Sequence, residues 1–324
     1  MIFVSASTIP RLFYVPDNWP KPAYDFIKNP LSAEKVRLGR ILFYDPVLSR
    51  NNMISCASCH SPYNAFTHID HTLSHGIDDR IGTRNSPALM NLAWYRTFMW
   101  DGAVNHLDMQ ALAPISHPDE MGSSLDSVVV RLKARKRYRS LFHDAFGDSA
   151  VTGERTLKSI SQFMLTLISA GSKYDKVVNN VAGISFTEKE KRGYVIYKKH
   201  CASCHTEPLF TTNGFENNGL KPDSLLKDPG RIRISHRKSD SLKFKVPTLR
   251  NCELTAPYMH DGRYRNLQMV LFHYTDAIHN SPTLARQLRE KMELSEEDKG
   301  ALIAFLKTLT DEEFVKDPAY SFLK

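Results

Sequence analysis

The chain has 324 residues, a mass of 36.9 kDa and a formal net charge of +8, with 42% hydrophobic and 24% charged residues. That balance is the one a soluble globular protein has, with room for two domains that each bury a core. It excludes a membrane-spanning helix: no apolar run approaches the roughly 20 residues needed to cross a bilayer, and the longest, Phe163 to Ala170, is interrupted by Thr166 and Ser169.

Chain order gives a mostly helical pattern. A polar loop with Gly and Pro fills Pro62 to Pro87. Asp126 to Gly147 has a polar cap, helical periodicity and a Gly stop, which predicts one helix. Within it the basic run Arg131 to Arg139 reads as a wet face rather than a nucleic-acid site, because Val128, Leu132, Leu141 and Ala145 form an apolar stripe behind it. Thr152 caps a second helix through Leu157, Ile160, Phe163 and Ile168, ending near Gly171. Thr187 with Glu190 is a capping box that opens a helix to His200. A second long loop fills Glu207 to Arg233, Asn266 to Tyr274 is a short helix, and Ser295 starts the last long one through Leu302 and Leu309. Strand alternation is confined to short pieces. The stretch from Gly171 to Gly183 is the expected boundary, dividing residues 1–172 from 173–324.

Each half then holds one copy of Cys-x-x-Cys-His: Cys56, Cys59 and His60 in the first, Cys201, Cys204 and His205 in the second. Two thiols at that spacing add to the vinyl groups of one haem, and the adjacent imidazole falls below the iron. The pair predicts two covalently bound haem c groups and a redox protein. A zinc site with four Cys ligands is the competing reading of the spacing, against which stand the His after each pair and the long intervening segment. Thioether attachment takes place outside the cytoplasm, so a periplasmic or otherwise exported protein is expected. Met1 to Pro10 has no basic n-region and too short an apolar stretch for a secretory leader. Cys252, the odd cysteine, reads as a buried free thiol. The positive charge suits an acidic redox partner or simple solubility.

The run LGRILFYDPVLSRNNMISCASCH, followed by GTRNSPALMN, MWDG and DMQALAPISHPDEMG, resembles the bacterial dihaem cytochrome c peroxidase family. CASCHTEPLF, FKVPTLRN and LTAPYMHDGRYRNL continue the likeness, which covers roughly residues 35 to 310. It implies two cytochrome-c-like haem domains packed against each other, the N-terminal one peroxidatic and the C-terminal one for electron transfer. It also implies hydrogen peroxide as oxidant. Members that need reductive activation carry a His ligand just after a Gly in the loop before Arg84-Asn85; Gly76 and Ile77 fall at those places here. Isoleucine cannot ligate iron, so an open coordination site is expected, with His68, His71 and His75 read as solvated loop residues; ligation by one of them in a repacked loop is the alternative. By the same likeness Glu120 is the acid–base group, Gln110 orients the peroxide, and Trp100 carries charge between the haems. Composition alone would make Glu120 a surface carboxylate and Trp100 a packing residue.

For the C-terminal haem, scavenging members place a Met fourteen residues after the His of the PYxHDG segment; that position is Tyr274 here. Its oxygen is a hard ligand that favours oxidised iron. Simple packing of Tyr274, or ligation by His273, Met269 or Met259, remains open at this stage. The tyrosine is shared with the MauG branch and the similar MbnH enzymes, which oxidise protein side chains. The likeness therefore implies oxidation of a Trp or Tyr on a partner protein through a two-haem Fe(IV) state. A small cytochrome c or cupredoxin as electron donor is the alternative, and a non-catalytic dihaem carrier the second. MauG uses a Trp two residues before its second haem motif; here that position is Lys199, and Tyr194 and Tyr197 are the nearest aromatics. Between the haems the family binds calcium through positions that match Asn85, Thr255 and Pro257. Neither nucleic acid nor a transmembrane segment is expected.

Overall fold

Thirteen α-helices and two short strands, with 3₁₀ turns between them, make up residues 12–68 and 71–322 of the computed structural model. The stretch Met1 to Pro10, read for a leader above, lies outside the described residues. In the first half come α1 (Ala33–Tyr44), α2 (Cys56–Cys59), α3 (Leu107–Gln110), α4 (Leu112–Ser116), α5 (Leu125–Ala134), α6 (Lys136–Phe146) and α7 (Gly153–Leu165). The second half holds α8 (Lys173–Val178), α9 (Glu188–His200), β1 (Phe215–Glu216), α10 (Ile232–Ser235), β2 (Phe244–Lys245), α11 (Leu267–Asp276), α12 (Glu296–Lys307) and α13 (Glu312–Lys316). The strands pair antiparallel, Phe215 opposite Lys245.

One helix pair organises each half, and in each a glycine permits the crossing. A Cβ on Gly39 of α1 would lie 1.8 Å from the Ser159 carbonyl oxygen of α7. A Cβ on Gly193 of α9 would lie 2.0 Å from the Ala301 carbonyl oxygen of α12. Only a residue without a side chain lets the backbones meet so closely. The capping box that opens α9 is formed: Thr187 Oγ1 accepts from Glu190 N, and Glu190 Oε2 accepts from Thr187 N at 2.7 Å.

Three expectations need correction. The single helix over Asp126–Gly147 is two, broken at Arg135, whose backbone is extended (φ −97°, ψ 118°). The break re-aims α6 so that Tyr138 and Phe142 enter the core beside Val128 and Leu132 of α5. Arg131 is no wet residue either: its guanidinium donates to the carbonyls of Val47 and Leu48 at 2.8 and 3.1 Å. The helix beginning after Thr152 stops at Leu165 rather than near Gly171, with Thr166 Oγ1 donating to the Phe163 carbonyl. The chain beyond it is spent on another partner, because the Leu167 carbonyl accepts from Asn91 N at 2.8 Å.

Buried apolar residues form two clusters. One gathers α1, α5, α6 and α7 around Phe43, Phe66 and Phe163. The other gathers α9, α11 and α12 around Tyr197, Phe210 and Phe305. Phe314, Val315 and Tyr320 belong to the first cluster, so the tail after α12 returns to the N-terminal half. There Arg40 donates to the carbonyls of Pro318 and Ser321, and Tyr44 Oη to that of Tyr320. Fully buried Arg250 is paired with Asp175 through two bonds of 2.8 and 2.9 Å and lies 4.6 Å from the Trp19 ring.

Candidate active site

The first haem motif sits on α2, and His60 N closes its turn by donating to the Cys56 carbonyl at 2.9 Å. The His60 Nδ1 lies 2.8 Å from the Phe66 carbonyl oxygen. That partner fixes the tautomer with the proton on Nδ1 and leaves Nε2 free for a metal. Phe66 holds a left-handed backbone (φ 61°) to aim this carbonyl. Burial pulls His60 down to about 4, so the imidazole is neutral, as iron ligation requires. Burial pushes the Cys56 and Cys59 thiols up, to about 12 and about 11. Beside these groups opens a cavity walled by Phe43, Leu89, Ile160 and Met164. Its apolar lining suits a porphyrin, and the motif supplies two thiols and one free ring nitrogen at its edge. The residues present therefore fit a haem.

Gln110 and Glu120 line the same cavity. Gln110 is the buried last residue of α3. Glu120 follows α4 in a turn where its N–H donates to the His117 carbonyl at 3.1 Å. Its carbonyl accepts from Ile77 N at 2.7 Å, which staples the Gly76–Ile77 loop to it. Gly76 is required there, because a Cβ would lie 2.0 Å from the Asp119 oxygen. Ile77 itself is fully buried and touches Gly122, so the position that carries a ligand in other members is packed into the wall. Burial raises the Glu120 carboxyl above the ordinary range, with His117 partly opposing. His71 is exposed as expected, and its ring centroid lies 4.1 Å from that of His75. The solvated-loop reading fails for His75, which is half-buried on the cavity wall, its carbonyl 3.4 Å from Cys59 Sγ.

In the second half, His205 Nδ1 lies 3.0 Å from the Pro247 oxygen and 3.2 Å from that of Phe210, again leaving Nε2 free. Burial pulls His205 down to about 4. Phe210 repeats the left-handed backbone of Phe66 (φ 53°). Tyr274, on α11, is half-buried, and burial pushes its phenol up to about 12. The competing ligands are placed otherwise. His273 Nε2 is bonded to the Asn218 carbonyl at 3.0 Å and its Nδ1 lies 3.5 Å from Tyr264 Oη. Met269 is 40% exposed, and Met259 Sδ accepts from Asn218 Nδ2 at 3.3 Å. Asn218, which also hydrogen-bonds Tyr274, escaped the sequence reading: Asn-Asn-Gly in a loop signals only a turn.

Lys199 is exposed on α9. Tyr197 is fully buried and its hydroxyl donates to the His205 carbonyl. Tyr194 lies nearly parallel to it, ring centroids 6.1 Å apart. The Tyr194 hydroxyl donates to Glu207 at 2.9 Å, and Tyr174 and Lys198 donate to the same carboxylate at 2.6 Å.

Between the two halves, the Trp100 indole N–H donates to the Asn85 carbonyl at 2.8 Å. Asn85 N donates to the His260 carbonyl at 2.7 Å, and Asn85 Nδ2 to that of Pro257 at 2.6 Å. The Asn85 Oδ1 is buried with no hydrogen-bond partner among the described residues. An orphaned amide oxygen beside a carbonyl is an arrangement a hard cation resolves. Cys252 is buried, its thiol pushed up to about 12. Among the described residues no three His, Cys, Asp or Glu gather to hold a metal ion, so the two Cys-x-x-Cys pairs do not form one zinc site.

Residues 33–182 match the family model for di-haem cytochrome c peroxidase, and residues 190–310 that for cytochrome c. The chain is similar to the methylamine utilization protein MauG of Methylorubrum extorquens, 36% identical over 93% of this chain and 84% of the relative. It is 33% identical to a cytochrome c551 peroxidase of Nitrosomonas europaea, over 88% of this chain and 82% of that one. Among solved structures, a MauG-like protein associated with microbial copper homeostasis superposes with a TM-score of 0.83 at 34% identity, covering 95% and 97% of the two chains.

Proposed function

The chain belongs to the di-haem cytochrome c peroxidase family, and on that premise we propose that it reduces hydrogen peroxide at the His60 haem and draws the two electrons from a Trp or Tyr side chain of a partner protein. The observation that carries the reading is the pairing of two unlike sites. Glu120 and Gln110 line the cavity at His60 with Ile77 packed away, while Tyr274 stands beside the thiols of the second motif. When bound, each haem would supply a redox-active iron that gives and takes electrons.

The chain's own residues divide the work. The Gln110 carboxamide orients the peroxide. The Glu120 carboxylate on the cavity wall would take a proton from one peroxide oxygen and hand it to the other, which would leave as water. Glu120 is suited to this because burial raises its pKa above the ordinary carboxylate range. Ile77 leaves the peroxide face without a protein ligand. Trp100, bonded to the Asn85 carbonyl, passes charge between the halves. The Tyr274 oxygen favours the oxidised state of the second iron, as the strong one-electron demands of Trp or Tyr oxidation require. Tyr197 and Tyr194 form the exit toward the α9 surface, and Glu207 accepts the phenolic proton that oxidation of Tyr194 releases.

Asn85, with the Thr255 and Pro257 carbonyls, holds calcium in this reading. Residues 1–172 and 173–324 are its peroxidatic and electron-transfer units, and covalent haem assigns it to a compartment outside the cytoplasm. Among the described residues no helix is long and apolar enough to cross a membrane.

The test adds hydrogen peroxide to the as-isolated diferric protein, with and without a candidate acceptor protein, and maps oxidised Trp and Tyr residues by peptide mass spectrometry. Acceptor oxidation that is lost in Tyr274→Phe, together with a changed C-terminal haem spectrum, is the expected result. An unchanged spectrum removes Tyr274 from the iron. Sustained turnover with reduced cytochrome c and an untouched acceptor makes the protein a scavenger instead.

A further inference from the structure

The interface between the two halves is internally repeated. Asn85–Asn91 (NSPALMN) and Lys245–Asn251 (KVPTLRN) stand 160 positions apart and share Pro, Leu and Asn in register; MWDG at Met99–Gly102 and MHDG at Met259–Gly262 stand the same distance apart. The backbones repeat as well. Asn91 and Asn251 have φ of 59° and 56°, Met99 and Met259 of 67° and 76°, and Gly102 and Gly262 of 75° and 67°. Each copy closes with an antiparallel bridge, Phe98 to Val104 and Tyr258 to Tyr264. The bonds across the interface are reciprocal: Asn85 N donates to the His260 carbonyl and Lys245 N to the Trp100 carbonyl, both at 2.7 Å. A pseudo-two-fold relation therefore exchanges the two halves of the interface, with Asn85 and Lys245 as partners.

Their side chains obey the same relation. Asn85 Nδ2 reaches the Pro257 carbonyl at 2.6 Å, and Lys245 Nζ reaches Thr97 Oγ1 at 2.7 Å. Pro257 and Thr97 are again 160 positions apart. Lys245 is only 8% exposed and forms no ion pair among the described residues. Its ammonium has the Thr97 hydroxyl and the faces of Phe215, at 4.6 Å, and Tyr95, at 5.9 Å. A buried cation without a carboxylate is costly unless its surroundings are built to receive it. We propose that the interface has two equivalent cation positions, one taken by an exchangeable divalent ion at Asn85 and the other by the ammonium of Lys245. This rests on the calcium reading of Asn85.

The chemistry of the two positions agrees. Hard metal ions and alkylammonium groups both take neutral oxygen donors, which these loops supply. The short Asn85 leaves a buried, unused Oδ1. The long Lys245 carries its own charge to the corresponding place. One interdomain cation is thus part of the chain and the other removable, so chelation strips charge from one side only; burial and the nearby Arg231 pull Lys245 down to about 8, so its ammonium persists below that pH.

The test uses the holoprotein, with metal analysis and potentiometric titration of both haems before and after treatment with a calcium chelator. Wild type is expected to hold one calcium per chain, with potentials that shift on chelation. Asn85→Lys is expected to hold none and to keep the potentials of the calcium-loaded wild type; potentials matching the chelated wild type would overturn the inference. Wild type with no calcium would sink the calcium reading itself. Should Asn85→Lys fail to mature with both haems, Lys245→Asn decides: a second equivalent of bound calcium supports the proposal, and a content that stays at one overturns it.

Discussion

The two haem units follow one plan as far as the proximal imidazole and diverge beyond it. In both, a glycine lets the helix leading to Cys-x-x-Cys-His cross a second helix, Gly39 over Ser159 and Gly193 over Ala301. In both, a left-handed phenylalanine turns its carbonyl onto the His Nδ1, Phe66 for His60 and Phe210 for His205. On the other face the first unit presents Gln110 and Glu120 around open space. The second presents Tyr274, held by Asn218. The repeated part is scaffolding of a kind that duplication copies, and in the proposed reading it is Gln110 and Glu120 in one unit and Tyr274 in the other that divide the chemistry.

The comparison breaks hardest if the acid–base group is removed from the first unit alone. Glu120→Gln is expected to slow the reaction with peroxide by about 10²–10⁴-fold in stopped-flow absorbance, with haem content unchanged; an unaltered rate would exclude Glu120. The pH dependence sharpens this. Burial raises the Glu120 pKa above its unfolded value, so the proton-accepting carboxylate appears only as pH climbs through that raised value. The acid limb of the wild-type rate should lie above the ordinary carboxyl range and vanish in Glu120→Gln. The same sign bears on stability: burial of Glu120 costs nothing below the unfolded pKa, and the cost grows as pH rises through the folded one.

A symmetrical defect tests the shared scaffold. Gly39→Ala and Gly193→Ala should each destabilise by about 1–3 kcal/mol through overpacking, despite the roughly 1 kcal/mol by which alanine is favoured in a helix interior. Denaturation midpoints read by circular dichroism check it, and a neutral result at one glycine would mean that the crossings are not equivalent. The smallest effect belongs to the α9 cap. Thr187→Ala should cost about 1 kcal/mol on the same measurement while leaving the first unit's peroxide reaction untouched.

Local signals carried much of this to the surface of the sequence. Cap residues opened α9 and α12 where Thr187 and Ser295 announced them, because capping is decided within four residues. Gln110 and Glu120 were legible through the motifs around them, and the cavity gathers them with His60. What local pattern does not carry is the choice between partners distant in sequence. The break at Arg135 and the early stop at Leu165 each serve a tertiary demand, core entry for Tyr138 and pairing with Asn91. Lys245 was hidden for another reason: it breaks the apolar pattern of a buried segment, and only the repeat with Asn85 gives it meaning.

The tail after α12 bears on how the molecule is made. Phe314, Val315 and Tyr320 seal the core beneath the first haem motif, and Tyr320 Oη ties to the Thr166 carbonyl at 3.0 Å. The first core is therefore completed by residues that follow the second motif in the chain, so the two halves are covalently and physically interleaved rather than strung one after the other.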